Sequence, residues 1–350
     1  MPLFCWSVST MLPDWPRALG GVDADGILKQ SPEDFSVEEC FEVDFSHDGE
    51  FDWLWVQKRG DSTEYVAKRL ATIAGVPAKA VTYSGLKDRQ AVTQQWFCIH
   101  LPGKQGRDWS GVAEQGDEGG WQVLRFGRHR QKLRIGSHRA NRFELRLRDI
   151  RGDTAGIEKR LEQLRGGFPN YFGEQRFGRA GDNVDACRRW LAGELRPGRF
   201  QRGIYLSSAR AYLFNTVLAR RIAQGNWQQP LDGELFSLRD SGSVFVAEVD
   251  DEIRQRMQAG DIHPSGPLYG SEGRHRVDAD VAELESQVFA AEPELCDGLR
   301  RHGMKMERRS LRVVPGDLVW EWEEPQMLRL LFTLPRGCFA TALVRELINA

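Results

Sequence analysis

The chain has 350 residues, 41% of them hydrophobic, which is enough for one large domain or two ordinary ones, each with its own core. Its 48 Lys plus Arg against 50 Asp plus Glu leave a net charge of −2, so the total excludes any general electrostatic argument for nucleic acid, and a basic surface has to be local. Six scattered cysteines without a CxxC pair argue against a zinc ribbon and a small disulfide framework and fit reduced thiols. The lack of a signal-like amino terminus and of about 18 consecutive apolar residues gives the expectation of a cytoplasmic protein, neither secreted nor membrane-spanning.

In "FDWLWVQKRG" (51–60), Phe51, Trp53 and Trp55 recur at period two while Leu54 and Val56 fill the other face, which predicts a strand covered on both sides. A helix follows in 61–77: Asp61 and Glu64 have capping-box spacing, Val66, Leu70 and Ile73 form a stripe, and Gly75 and Pro77 stop it. "TYSGLKDRQAV" (82–92) has turn composition and leads into the alternating "AVTQQWFCIHL", so Asp88 is placed on a loop flanked by strands. Residues 103–120 are glycine-rich and polar and read as a surface excursion. Between 125 and 148 nine Arg or Lys and two His meet one acid, Glu144, and the stretch ends in a strand with Phe143, Leu145 and Leu147 on one face. A helix is expected near 154–165, and "GGFPNYFGEQRFGRAGDN" then reads as a boundary loop. Further on, 211–227 reads as a helix and the Pro- and Gly-dense 262–275 as an ordered loop. Residues 308–334 return to strand alternation before a short helical pattern in "GCFATALVRELI". The likeness of the two ends suggests one β-rich core interrupted by an inserted domain, with no fixed-period repeat.

Asp88, between Lys87 and Arg89, reads either as a plain turn residue or as a nucleophile or general base. In the second reading a cation offsets the cost of desolvating the carboxylate, and Lys29 is the candidate. The basic stretch is either a solvated sheet face or a set of phosphate contacts. Phe143 beside Asn141 is either a core aromatic or a stacking platform with a hydrogen-bonding amide for an extruded base. Taken singly, Phe35, Tyr171, Phe172, Phe177 and Phe339 read as core residues, and Cys98 and Cys338 as core thiols. No metal site is expected: the histidines are scattered, and "LPGK" (101–104) lacks the rest of a phosphate loop. Chemistry without a cofactor is the economical reading.

Six stretches, "EDFSVEE" (33–39), "GLKDR" (85–89), "NRF" (141–143), "PNYFGEQRFG" (169–178), "GPLYG" (266–270) and "LPRGCFATALVREL" (334–347), together resemble, in kind and in order, the TruD family of pseudouridine synthases. The resemblance covers nearly the whole chain, and six motifs in order are hard to obtain by chance. It implies an α+β fold: a pseudouridine synthase core with a mixed, mostly antiparallel sheet, residues 1–166 and 313–350, interrupted by an α/β insertion domain (TRUD domain) at 167–312. It implies isomerisation of uridine to pseudouridine in tRNA, characteristically at position 13, without metal or organic cofactor; tRNA is the expected partner, and no membrane or protein partner is predicted. The family's catalytic aspartate falls on Asp88, its paired lysine on Lys29, its stacking phenylalanine on Phe143, and further pocket positions on Phe35, Asn141 and Phe339. Ser36 is polar where an apolar residue is expected.

Because a stacked base is out of reach, the resemblance implies a flipped uridine, with the basic stretch and a cleft between core and insertion holding the tRNA backbone. Two rival classes make different products. An RNA-binding module would bind without turnover, and a metal-free hydrolase using Asp88 to activate water would release free uracil or cut strands.

Overall fold

In a computed structural model, residues 12–117, 119–178, 181–239 and 241–350 are described. The chain divides into two compact units. One comprises Asp23–Lys159, Pro315–Gly337 and Ile348–Ala350; the other comprises Arg160–Val314, the residues up to Val22, and Cys338–Leu347.

The first unit is built on a ten-stranded sheet. Its strands are β1 (Ala24–Leu28), β2 (Phe35–Cys40), β3 (Phe51–Arg59), β4 (Val81–Tyr83), β5 (Val92–His100), β6 (Ala113–Gln115), β7 (Gly120–His129) and β8 (Ala140–Gly152), completed by the hairpin Gly316–Glu324 and Met327–Pro335. From the hairpin the order runs Gly316–Glu324, Met327–Pro335, β8, β2, β5, β3, β7, β6, with β1 beside β8 and β4 beside β5. β2 and β5 are parallel and the other pairs antiparallel, so the sheet is mixed and mostly antiparallel, as expected.

Both faces of β3 are covered, which is why its sequence is apolar nearly throughout. On one face Leu54 and Val56 pack with Phe97 and Ile99 against Val66 and Leu70 of helix α1 (Thr63–Ala74). On the other, Trp53, Trp96, Cys98, Val43 and Leu133 form a second cluster. The cap of α1 is one residue later than the sequence spacing suggests. Ser62, not Asp61, is the cap: it lies in extended backbone and its hydroxyl accepts from the Tyr65 amide at 3.1 Å; Gly75, at φ 64°, closes the helix.

The glycine-rich segment 103–120 is not wholly a surface excursion. Trp109 is fully buried, its indole N–H donates to Asp52 Oδ2 at 2.9 Å, and Ala113–Gln115 adds strand β6 to the sheet edge. Helix α2 (Thr154–Leu164) follows β8 as expected.

In the second unit a 25-residue helix, Arg199–Ala223, packs with helices Asn183–Leu191, Ala279–Ala290 and Pro293–Arg301. It begins well before the expected 211, through a stretch with Gly203 and no strict apolar stripe. A four-stranded antiparallel sheet runs in the order Val244–Val246, Leu235–Leu238, Ile262–Leu268, Glu307–Ser310. The expected ordered loop at 262–275 is thus, over Ile262–Leu268, an interior strand. Pro264 and Pro267 lack an N–H and made it read as a loop, yet the Pro264 carbonyl still accepts from Leu311 N at 2.9 Å. Gly266 is needed here, because a Cβ would stand 2.7 Å from Leu311 Cδ2 and 2.9 Å from Phe214 Cε2. Among the described residues no helix is long and apolar enough to cross a membrane, and Cys40, Cys98, Cys187, Cys296 and Cys338 are free thiols. Cys5 lies outside the described residues.

Candidate active site

Asp88 sits on the loop between β4 and β5, and that loop is tied down along its length. Ser84 Oγ donates to Glu39 Oε1 at 2.9 Å and meets His138 Nδ1. The Gly85 carbonyl accepts from Gln95 Nε2 at 2.9 Å, and the Lys87 amide donates to Thr63 Oγ1 at 3.0 Å. Lys87 Nζ reaches Glu39 Oε1 at 2.7 Å, Lys58 Nζ donates to the Asp88 carbonyl at 2.7 Å, and Arg89 Nε donates to the Gly60 carbonyl at 2.7 Å. These anchors come from β2, β3, β5 and the first turn of α1, so the position of Asp88 is set by the sheet and its covering helix rather than by the loop alone.

Lys29 forms an ion pair with Asp88 Oδ2, and the Gln90 amide donates to Oδ1 at 3.1 Å. Burial alone would raise the Asp88 carboxyl. The hydrogen bond and charge of Lys29, the Gln90 amide and the charge of Lys58 outweigh it and hold the group below the ordinary carboxylate range. Lys58 is fully buried, and loss of water brings its ammonium down to about 8, against the opposing charges of Asp88 and Asp61. Lys29 lies at φ 63°, in the left-handed region that residues with a Cβ seldom enter and that costs on the order of 1 kcal/mol. That conformation is found in the residue whose ammonium reaches the Asp88 carboxylate.

An aromatic wall adjoins this pair. The Lys29 ammonium lies 4.0 Å from the Phe35 ring centre, Phe35 meets Phe143 edge to face at 6.1 Å, and Phe143 stacks on Phe332 at 5.4 Å. The register explains the grouping. Phe332, Phe143, Val37, Thr93 and Lys58 are opposed in turn across five neighbouring strands, so their side chains stand in one row on one face of the sheet. Asn141 is two residues along the same face from Phe143, beside Glu39, and its buried Oδ1 has no hydrogen-bond partner in the structure. An unsatisfied buried amide oxygen of this kind costs about 1–3 kcal/mol until a donor reaches it. Cavities of about 570 and 640 Å3 open instead on the opposite, tryptophan-bearing face, lined by residues such as Trp53 and Trp55, and are not around Asp88.

The structure therefore brings together Asp88, Lys29, Phe35 and Phe143, with Asn141 on the same sheet face. Phe339 belongs to the other unit, where its ring meets Phe172 at 5.8 Å and the Arg176 guanidinium at 5.9 Å. Sequence reading missed Lys58 and gave no role to Glu39. Lys58 follows Leu54 and Val56 at period two, so a lysine in register with a buried apolar pair was the available signal. The basic stretch is less basic in space than in sequence. Five of its nine cations face carboxylates: Arg128–Asp52, Arg130–Asp48, Arg142–Glu38, Arg146–Glu323 and Arg148–Asp34; Lys132, Arg134 and Arg139 are exposed. Among the described residues no group of three or more His, Cys, Asp and Glu could hold a metal ion.

The geometry is thus a carboxylate ion-paired with lysine beside an aromatic wall, groups suited to acid–base or nucleophilic chemistry next to a planar ring. The family description tRNA pseudouridine synthase D (TruD) matches residues 19–186 and 197–347, and the chain belongs to the TruD family. It is 48% identical over 336 residues to tRNA pseudouridine synthase D of Pseudomonas syringae pv. syringae (strain B728a), covering 95% of this chain and 94% of that protein. It is 46% identical to those of Pseudomonas entomophila (strain L48) and Pseudomonas aeruginosa PAO1, covering 95% of this chain and 94% and 93% of theirs. The crystal structure of a protein assigned as tRNA pseudouridine synthase D from Methanosarcina mazei superposes with a TM-score of 0.68 at 20% identity, covering 97% of each chain, which shows the shared fold.

Proposed function

We infer that the chain isomerises uridine to pseudouridine in tRNA, with Asp88 initiating the reaction and Lys29 holding its carboxylate ionised and aimed. The observation that carries the assignment of Asp88 is its ion pair with Lys29, on a loop anchored from four elements and next to the Phe35–Phe143 wall. The reaction breaks the bond from ribose C1′ to uracil N1, turns the base and joins C1′ to C5. The C5 hydrogen leaves as a proton and N1 gains one, so no electron acceptor or donor is required. Attack of the carboxylate on C1′, its attack on the base, and removal of a ribose proton all begin from the ionised Asp88 that Lys29 favours. Phe143 would stack on the flipped uracil, Phe35 would close the wall behind it, and Asn141 would accept from the base edge or the ribose. Phe339 would add an aromatic contact to the bound RNA. The target is position 13 of tRNA, the catalytic core is 1–166 with 313–350, the inserted domain is 167–312, and the protein works in the cytoplasm.

The test is release of tritium from unmodified tRNA transcripts labelled at uracil C5, with the product mapped by chemical blocking and primer extension. Wild type should release tritium at one uridine with no strand cleavage and no free uracil. Asp88→Asn should still bind the transcript but lose at least about 10³-fold in turnover, or roughly 4 kcal/mol of transition-state stabilisation. Release unaffected by Asp88→Asn would remove the aspartate from this role, and free uracil in place of pseudouridine would make the protein a hydrolase.

A further inference from the structure

In the second unit most buried or half-buried arginines are matched. Arg188 faces Glu292 at 2.9 Å, Arg210 faces Glu307 at 3.0 Å, Arg221 faces Glu234 at 2.9 Å, and Arg308 faces Glu285 at 2.7 Å. Arg312 is satisfied by the carbonyls of Gly166 and Met257. Arg176 and Arg309 differ. The Arg309 guanidinium lies 4.2 Å from the Phe172 ring centre and that of Arg176 5.6 Å from the same ring and 5.9 Å from the Phe339 ring centre. Among the described residues no carboxylate pairs with either. Arg309 donates to the side-chain oxygen of Asn170 and, at 3.4 Å, to its carbonyl. Arg176 has Ser207 Oγ at 3.2 Å, and its buried Nε has no partner. Glu174, the acid nearest in sequence, is exposed.

Two guanidiniums sharing one ring and no anion are an unbalanced arrangement. Burial pulls both below the ordinary arginine value, and Arg176 adds repulsion to Arg309. Cys338 does not supply the charge, since burial raises its thiol and keeps it protonated. The aromatic rings fix where the guanidiniums lie but leave their N–H edges short of acceptors. An incoming anion with several oxygens would supply the missing acceptors, and arginine forks recognise phosphate through such bonds.

We propose that Arg176 and Arg309, seated on Phe172 and beside Phe339, form a binding site for a phosphodiester group of the RNA substrate. This rests on the reading of the protein as a tRNA-modifying enzyme. In the structure the pair is held in place by Asn170, Ser207 and Phe172 before any ligand arrives, so binding requires little rearrangement.

The experiment is equilibrium binding of an unmodified tRNA transcript to wild type, Arg176→Gln and Arg309→Gln over a series of salt concentrations. Arg210→Gln serves as a carboxylate-paired control. Each phosphate contact contributes a slope of about 0.7–0.9 in the logarithm of affinity against the logarithm of salt. Arg176→Gln and Arg309→Gln should each flatten the slope by roughly that amount and weaken binding about tenfold at low salt, Arg210→Gln should leave the slope unchanged, and Arg309→Lys, which keeps the charge, should restore most of it. A thermal shift of wild type by inorganic phosphate, set against chloride at equal ionic strength and lost in Arg309→Gln, would mean that the site accepts any phosphate. A flattened slope without that shift would confine it to the RNA backbone. Unchanged slopes in both folded variants would overturn the proposal, and if wild type still formed pseudouridine the enzymatic reading would stand without it.

Discussion

Around Asp88 each lysine faces an oxygen: Lys29 the carboxylate, Lys58 the backbone carbonyl of the same residue, and Lys87 the carboxylate of Glu39. Around Phe172, two guanidiniums face only the neutral oxygens of Asn170 and Ser207 and, among the described residues, no carboxylate. The first cluster is complete before a substrate arrives, as suits a site where one carboxylate has to be ionised and correctly aimed during the reaction. The second is completed by what it binds. Removing a charge should therefore have opposite consequences in the two places: it should damage folding or turnover at the first, and only the affinity for an anion at the second.

The sharpest way to break that contrast is Glu39→Gln. It keeps the shape of the side chain but strands the largely buried Lys87 ammonium and weakens the acceptors for Ser84 and the Trp96 amide. Loss of one partner of a buried pair predicts destabilisation of about 3 kcal/mol in urea unfolding. A loss near zero would mean that water reaches the cluster and that it is not preorganised. Lys29→Met comes next. Turnover should fall about 100-fold, roughly 2.7 kcal/mol, with tRNA affinity little changed. With Asp88 held below the ordinary carboxylate range in wild type, activity should be lost only as pH falls through that lowered value. Without Lys29, burial dominates, so the acid limb of the pH–rate profile should move upward towards neutrality. An unmoved limb would show that Lys29 does not set the ionisation of Asp88.

The smallest effect concerns Lys58. Its folded-state value of about 8 lies below the ordinary 10.5, so as pH rises between those values the unfolded chain binds more protons and the folded state gains relative stability. Activity should nonetheless fall above about pH 8, because the charge beside Asp88 disappears. Lys58→Met should be about tenfold slower at pH 7 and lack that alkaline limb. A limb that persists in Lys58→Met would belong to another group.

Much of the sheet was readable from period-two alternation. Strands β3 and β5, the hairpin after 315 and helix α1 fall where the pattern puts them, because each buries a continuous apolar face. What was not readable depends on partners remote in sequence. The Ile262–Leu268 strand carries two prolines and a glycine that speak for a loop, and it becomes a strand because Leu235–Leu238 and Glu307–Ser310 flank it. Trp109 sits in a polar segment and is buried by Asp52 and the α1 cluster. At the site, "GLKDR" and "NRF" pointed to Asp88, Asn141 and Phe143, and Lys29 was a distant candidate cation that the resemblance then paired with Asp88. For Lys58 the period-two spacing after Leu54 and Val56 was the available signal, whereas the contribution of Glu39 lies in strand register, which no local spacing reveals.

Strand β8, which carries Asn141 and Phe143, has β2 on one side and Met327–Pro335 on the other, along eight consecutive residue pairs from Ala140–Pro335 to Leu147–Leu328. During synthesis, residues 140–147 are made nearly 200 positions before the strand that covers that flank. Until Met327–Pro335 leaves the ribosome, β8 is an open edge whose Phe143, Leu145 and Leu147 alternate with arginines at 142, 146 and 148. Those arginines give the nascent chain a charged margin against joining its neighbours edge to edge while the enzyme waits for its last strand.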